Sequence, residues 1–224
     1  MSTVAPRQPT IPDPDPGWIP SPLYRLSVNE YEAIVESGAL ESRNRFHLIN
    51  GYLVAKMTQN PPHAVADEAL GTALARILPA HRYHARAAKP VRLPGRDSEP
   101  EPDRCIARGT PFDYADHHPG PGEIAAIIEI SDSSLAADRK LATEVYGPAG
   151  IPVYWIVNLI DRQVEIYTDP GPIGYRSIEV VPEGQPAPVV VDGQTVGWIA
   201  VSDILPPRLA DPQAGGQPPN REQR

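Results

Sequence analysis

Glu123-Ile124-Ala125-Ala126-Ile127-Ile128-Glu129-Ile130 is the stretch on which the fold turns. Its apolar residues run almost without a break, as they do in a central strand covered on both faces. Val153-Tyr154-Trp155-Ile156-Val157 has the same character and reads as a second central strand. A helix over Asp138–Ala149 connects the two. Upstream, the acidic, proline-broken loop Asp97-Ser98-Glu99-Pro100-Glu101-Pro102 delivers Asp103 to the start of a strand, Arg104–Ala107. Ser27 with Glu30 forms a capping box for a helix that stops near Gly38. Arg45–Ile49, Asn50-Gly51 and Tyr52–Val54 read as a hairpin, because Asn-Gly supplies the two positive-φ residues of a type I′ turn. A second helix is expected over Pro62–Leu78, with Val65, Ala69, Leu70, Ala73, Leu74 and Ile77 as its apolar stripe. Short strands are expected at His81–Ala85, Pro90–Leu93, Gln163–Tyr167, Tyr175–Val181, Pro188–Val191 and Thr195–Ile199. The fold class is therefore α/β: a mixed sheet flanked by helices, with a hairpin-rich C-terminal extension.

At 224 residues and 24.3 kDa the chain has room for one core. It carries 29 prolines, concentrated toward the two ends, so residues 1–22 and 206–224 are expected to be disordered tails around a single domain, 23–205. Cys105 is the single cysteine, which excludes a disulfide framework and a multi-cysteine zinc site. It reads as a packed thiol. No apolar run spans a membrane and the N-terminus lacks a signal-peptide pattern, so a soluble, cytoplasmic protein is expected. The formal charge of −8 does not suggest a general nucleic-acid binder. Between Leu70 and Arg96, however, there is no acid, and Arg76, Arg82, Arg86, Lys89, Arg92 and Arg96 cluster with His81 and His84. Such a run is either a solvated face or a set of phosphate contacts.

Two acids stand apart from the scattered rest. Glu129 lies inside the apolar run, where an unpaired carboxylate is costly to bury. Asp103 opens a neighbouring strand. Carboxylates at the ends of two central strands present hard oxygen ligands to a divalent cation. The plainer alternative pairs Glu129 with Arg104 or Arg139 and gives Asp103 a turn cap. His63, after two prolines at a helix start, suits a cap or a catalytic role equally. His117 and His118 sit in a Pro/Gly loop and read as exposed. The metalloprotease, nucleophile-elbow, P-loop and dinucleotide motifs are missing, which leaves metal-dependent hydrolysis as the sharpest enzyme reading.

The segments Leu48–Gly51, Gln59–His63, Glu99–Asp103, Ile128–Leu135, Asp138-Arg139 and Ala149–Val157, in this order and spacing, resemble the Uma-two family of restriction endonucleases. The likeness covers about residues 24–170 and implies the restriction-endonuclease-like core of the PD-(D/E)XK superfamily. By that resemblance Pro102-Asp103 and Glu129 match the family's acidic elements. They would hold Mg²⁺ together with the backbone carbonyl of Ile130, for hydrolysis of nucleic acid, DNA in the first place. Arg82, Arg86, Lys89 and Arg92 would contact phosphates. Cleavage of both strands of a duplex would favour a homodimer.

Two departures qualify the resemblance. His47 stands where relatives usually carry an acid, and as a ligand it would favour Mn²⁺ over Mg²⁺. Ser131 stands where the superfamily's basic form has lysine, and Ala142 where the Uma-two-like pattern has it. The nearest lysine, Lys140, is about 200° away around an ideal helix. Three readings follow: a nuclease using Lys140 or no base, a Mn²⁺-preferring nuclease, or a degenerate relative that binds nucleic acid or protein without cutting. A non-enzymatic module with proline-rich partner ligands stands beside them.

Overall fold

Residues 23–40 and 46–208 are described by the structure, a computed structural model. Ser27 caps helix α1 (Val28–Glu36) through the expected capping box with Glu30. The hairpin β1 (Phe46–Ile49) and β2 (Tyr52–Ala55) turns at Asn50 (φ 48°) and Gly51 (φ 81°). Gly51 is doubly required, since a Cβ there would lie 2.6 Å from Cβ of Arg25. Helix α2 (Pro61–Ile77) follows, with prolines in its first turn and Asn60 as its cap.

The core is a mixed sheet of six strands: β3 (Tyr83–Ala87), β4 (Arg104–Arg108), β5 (Ile124–Ser131), β6 (Val153–Asn158), β7 (Gln163–Gly171) and β8 (Gly174–Pro182), side by side in that order. Every pairing is antiparallel except β5 with β6, which are parallel and joined through helix α3 (Leu135–Leu141). The two apolar runs are β5 and β6, buried along their whole length. A last hairpin, β9 (Pro186–Val191) with β10 (Gln194–Ala200), packs with α2 on one face of the sheet, around Leu70, Leu74, Ile128 and Val189. The other face holds Ile127, Ile156, Val145 and Tyr146. The sheet is thus covered on both sides, as continuous apolar strands require.

Several expectations need correction. Pro90–Leu93 is not a strand. The N–H groups of Val91 and Arg92 donate instead to the carbonyls of Pro100 and Pro119, and only a bridge between Leu93 and Ser98 remains. Val65 is exposed and Ala66 replaces it on the buried stripe of α2, in the i, i+4, i+8 row with Leu70 and Leu74. The helix after β5 starts at Leu135 and breaks into one π-type turn over Ala142–Tyr146. Trp155 is buried, whereas Trp198 is 60% exposed on β10. Trp18, Arg45, residues 1–22 and all of the second tail beyond Arg208 lie outside the described residues.

The acidic loop before Asp103 is not a solvated connector. Ser98 and Glu99 are buried, and the Glu99 N–H donates to the carbonyl of Leu48 (2.8 Å). Burial, with Glu32 of α1 and Glu101 nearby, pushes the Glu99 carboxyl up to about 7, against the partial relief of Arg92. A carboxyl that is harder to ionise folded than unfolded favours the native state below its unfolded value of 4.5. That advantage is lost as pH rises to about 7. The cost at neutral pH is about 3 kcal/mol. Glu99→Gln should therefore raise the melting temperature by roughly 5–10 °C near neutral pH and leave it unchanged near pH 4. Thermal denaturation followed by circular dichroism across that range checks this, and a wild-type profile flat with pH would contradict it.

Candidate active site

Antiparallel pairing sets Arg104 opposite Ile128, which places Asp103, one residue before β4, across from Glu129 near the end of β5. Alternation along β5 turns Ile128 and Ile130 toward α2 and Glu129 toward the opposite face. The two acids are cross-bonded. The Asp103 N–H donates to Glu129 Oε2 (3.0 Å), and the Ile130 N–H donates to Asp103 Oδ2 (2.7 Å). Tyr146 OH donates to Glu129 Oε1 (3.0 Å), brought there by the π-type turn. On the α2 side, His63 Nε2 lies 3.0 Å from Asp103 Oδ2, and Gln59 Nε2 donates to Oδ1 (3.2 Å). Asn60, which caps α2 through the His63 N–H, also donates to Asp132 (2.7 Å). The segment Gln59–His63 therefore wraps the carboxylate pair from one side.

Glu129 has no basic partner among the described residues. Arg104, one expected partner, binds Asp67 of α2 in a fork (2.5 and 2.8 Å). Arg139, the other, forks onto Glu165 (3.0 and 2.5 Å). Asp138 is buried in the same region, its Oδ2 accepting from the hydroxyls of Ser131 (2.5 Å) and Ser134 (2.7 Å). Burial, then repulsion from Asp103 and Asp138, drives the Glu129 carboxyl well above the usual carboxylate range. Burial also raises Asp138, despite its two hydroxyl donors. His63 is itself disfavoured as a cation by burial, but the Asp103 carboxylate outweighs this and holds it above its ordinary value. The site thus gathers three acids into a poorly solvated place with one half-compensating imidazole.

The carboxylates open into a cleft of about 650 Å³ beneath the β1–β2 hairpin. His47, His63, Ile130 and Lys140 share that lining. Burial and the neighbouring Lys56 push His47 down to about 4, so its ring is neutral at physiological pH. Lys140 sits on the rim, 70% exposed and 3.7 Å from Glu144, and makes no hydrogen bond to the carboxylates. Ala142 is fully buried beside Tyr146 in the π-type turn.

Of the expected phosphate contacts, Arg92 is committed to Glu32 (2.7 and 3.1 Å) and Asn29 (2.5 Å). Arg82 stacks on Tyr83 and Arg86 on Tyr114, while Lys89 is exposed. None of the four lines the cleft. Arg82 lies at the end of β3 remote from Asp103, about 20 Å along the strand. Cys105 is buried, its thiol pushed up to about 12, as befits a packed side chain. His117 and His118 are exposed, His117 between Asp116 and Glu123.

Asp138 and Tyr146 are the site residues that sequence reasoning missed. Asp138 looks like an ordinary first-turn acid of a helix; its signals were the Asp138-Arg139 segment of the family resemblance, to which no role was given, and the hydroxyls at Ser131, Ser133 and Ser134 just before it. Tyr146 reads as a core aromatic, and its aim depends on the π-type turn, which no residue pattern announced.

No three His, Cys, Asp or Glu side chains among the described residues converge to enclose a metal. His47 in particular is not joined to the acid pair. The donor set still fits a hard cation that keeps most of its water, because Mg²⁺ commonly uses one or two carboxylates plus substrate phosphate. Both Glu129 oxygens and Asp103 Oδ1 accept one hydrogen bond each and keep a free lone pair, whereas Asp103 Oδ2 accepts two. Glu129 is ionised only at a cost that a nearby cation offsets.

A family model described as Uma2, putative restriction endonuclease, matches residues 28–201. Among solved structures the chain is similar to a putative nuclease belonging to DUF820 from Anabaena variabilis. The TM-score is 0.59 at 14% identity, over 80% of this chain and 97% of that one, a likeness that bears on fold alone. No curated protein matches the chain. No helix among the described residues is long and apolar enough to cross a membrane.

Proposed function

Because the chain belongs to the Uma2 family of putative restriction endonucleases, we propose that it is a metal-dependent endonuclease that hydrolyses phosphodiester bonds, with DNA as its substrate. The observation that carries this reading is Glu129: a buried carboxylate beside Asp103, with every candidate arginine engaged elsewhere. Asp103, Glu129 and the carbonyl of Ile130 are the groups that would hold the cation. When bound, Mg²⁺, or Mn²⁺ in its place, supplies charge neutralisation at the scissile phosphate and an acidified water.

The chain's own residues do the positioning. Tyr146 fixes Oε1 of Glu129, and the Ile130 N–H with His63 fixes Oδ2 of Asp103, so both carboxylates face the cleft in one orientation. The low polarity around Glu129 strengthens every charge interaction made there. Neither Lys140 nor any other lysine touches the acids, so the proposed reaction needs no lysine base. Cutting both strands of a duplex with one such site per chain calls for a homodimer.

The second reading, a degenerate relative that binds without cutting, is favoured by Ala142, whose methyl fills the core where the family pattern has lysine. Plasmid cleavage by the purified full chain in Mg²⁺, in Mn²⁺ and in EDTA separates the two. Nicking with either metal and none in EDTA is expected. A folded protein inert in all three lanes belongs to the degenerate class.

A further inference from the structure

A second groove, of about 690 Å³, lies against the β1–β2 hairpin and adjoins the carboxylate cleft, sharing walls at Ile49, Asn50, Val54, Lys140 and Glu144. Its charge differs from that of the chain as a whole. Arg25, Arg96 and Lys140 line it against a single carboxylate, Glu144, in a protein of net charge −8. Among the described residues most other arginines are neutralised in forks or bridges with Asp or Glu: Arg92, Arg104, Arg108, Arg139 and Arg162 are examples. Arg25 and Arg96 form no ion pair among the described residues. Arg25 donates only to Tyr52 OH (3.2 Å) and lies over that ring. Arg96 donates through Nη2 to the carbonyl of Glu144 (2.7 Å), and its Nε is buried with no acceptor. A buried guanidinium donor without an acceptor is costly unless something supplies one.

We propose that this groove is the track for the nucleic-acid backbone, with Arg25, Arg96 and Lys140 contacting successive phosphates on one side of the scissile bond. The inference rests on the nuclease reading and moves the phosphate contacts from Arg82, Arg86, Lys89 and Arg92 to the hairpin side. It also gives Lys140 a task suited to a rim side chain 70% exposed. Arginine and lysine suit this role because phosphate contacts position the strand without reading sequence. The occupant is an extended strand rather than a small anion, because the cations border a groove that shares five wall residues with the carboxylate cleft.

The test is fluorescence anisotropy of a labelled 20-base-pair duplex and of its single strand, with the full-length protein in EDTA so that no cleavage occurs. Each phosphate contact contributes close to one to the slope of log affinity against log salt. Arg25→Gln/Arg96→Gln should lower that slope by about two and weaken binding roughly tenfold at 0.1 M salt. Arg96→Lys, which keeps the charge, should retain the slope and so separates charge from folding. An unchanged slope in the double variant overturns the track, all the more if Arg82→Gln/Lys89→Gln lowers it instead. Wild-type protein that binds neither oligonucleotide overturns it as well. The plasmid assay then tells whether the nuclease reading falls with it, since cutting without measurable binding leaves that reading standing.

Discussion

Glu129→Ala should reduce metal-dependent cleavage by about 10³-fold, the largest single effect expected of any substitution in this chain. A cation at a reacting phosphate is worth several kcal/mol of transition-state stabilisation, and each 1.36 kcal/mol is a factor of ten in rate. In the proposed site Glu129 would provide one of two carboxylates for that cation; Asp138, the third acid nearby, is taken up by the Ser131 and Ser134 hydroxyls, and no three ligating side chains converge among the described residues. The loss will not reflect unfolding. In metal-free protein the Glu129 charge is buried and faces Asp103 and Asp138. The isosteric Glu129→Gln removes that repulsion and keeps the hydrogen bonds within reach, so it should melt higher than wild type in EDTA. It should also lose the stabilisation that Mg²⁺ or Mn²⁺ gives the wild type by binding the native state. Differential scanning calorimetry with and without metal reads both effects. Cleavage by Glu129→Ala at the wild-type rate would remove Glu129 from the chemistry.

The sheet was legible because its central strands announce themselves. Ile124–Ile130 and Val153–Val157 are apolar on both faces, and only a strand covered by helices on both sides accommodates that. The hairpin at Asn50-Gly51 was legible for a local reason, the two positive φ values. The acid pair was legible too, since a glutamate in the middle of a buried run demands an explanation.

What escaped were features set by long-range geometry. The loop Pro90–Leu93 has the composition of a strand, but its N–H groups are captured by carbonyls of Pro100 and Pro119, far along the chain. The basic cluster looked like one surface in sequence. Folding scatters it from α2 (Arg76) through β3 (Arg86) to the loop beyond, and pairs Arg92 with Glu32 of α1, across 60 residues. Arg25, unremarkable in sequence, and Arg96, the last of the basic run, are 71 positions apart and meet at one groove beside the hairpin. The π-type turn that aims Tyr146 at Glu129 shifts the helix register, so counting from Asp138 could not show which side chain reaches the acids.

His63 carries the second large effect. Sequence reading left it between a cap and a catalytic group. The cap is Asn60, and the imidazole, 13% exposed, rests its Nε2 on Asp103 Oδ2. A histidine that holds a ligating carboxylate in place acts through that carboxylate, as a positioning residue, and such partners are typically worth 10–100-fold in metal affinity or activity. His63→Ala should therefore slow cleavage by roughly 10–100-fold, and the loss should be greatest at low metal concentration. His63→Gln keeps a donor near the position of Nε2 and should recover part of it. The decisive readout is the metal concentration for half-maximal rate: a merely structural role for His63 would lower stability and leave that concentration unmoved, whereas a loosened Asp103 must raise it. If His63→Ala shows wild-type metal dependence and the same fractional loss at every concentration, the imidazole is packing, and Asp103 is held by the Ile130 N–H and Gln59.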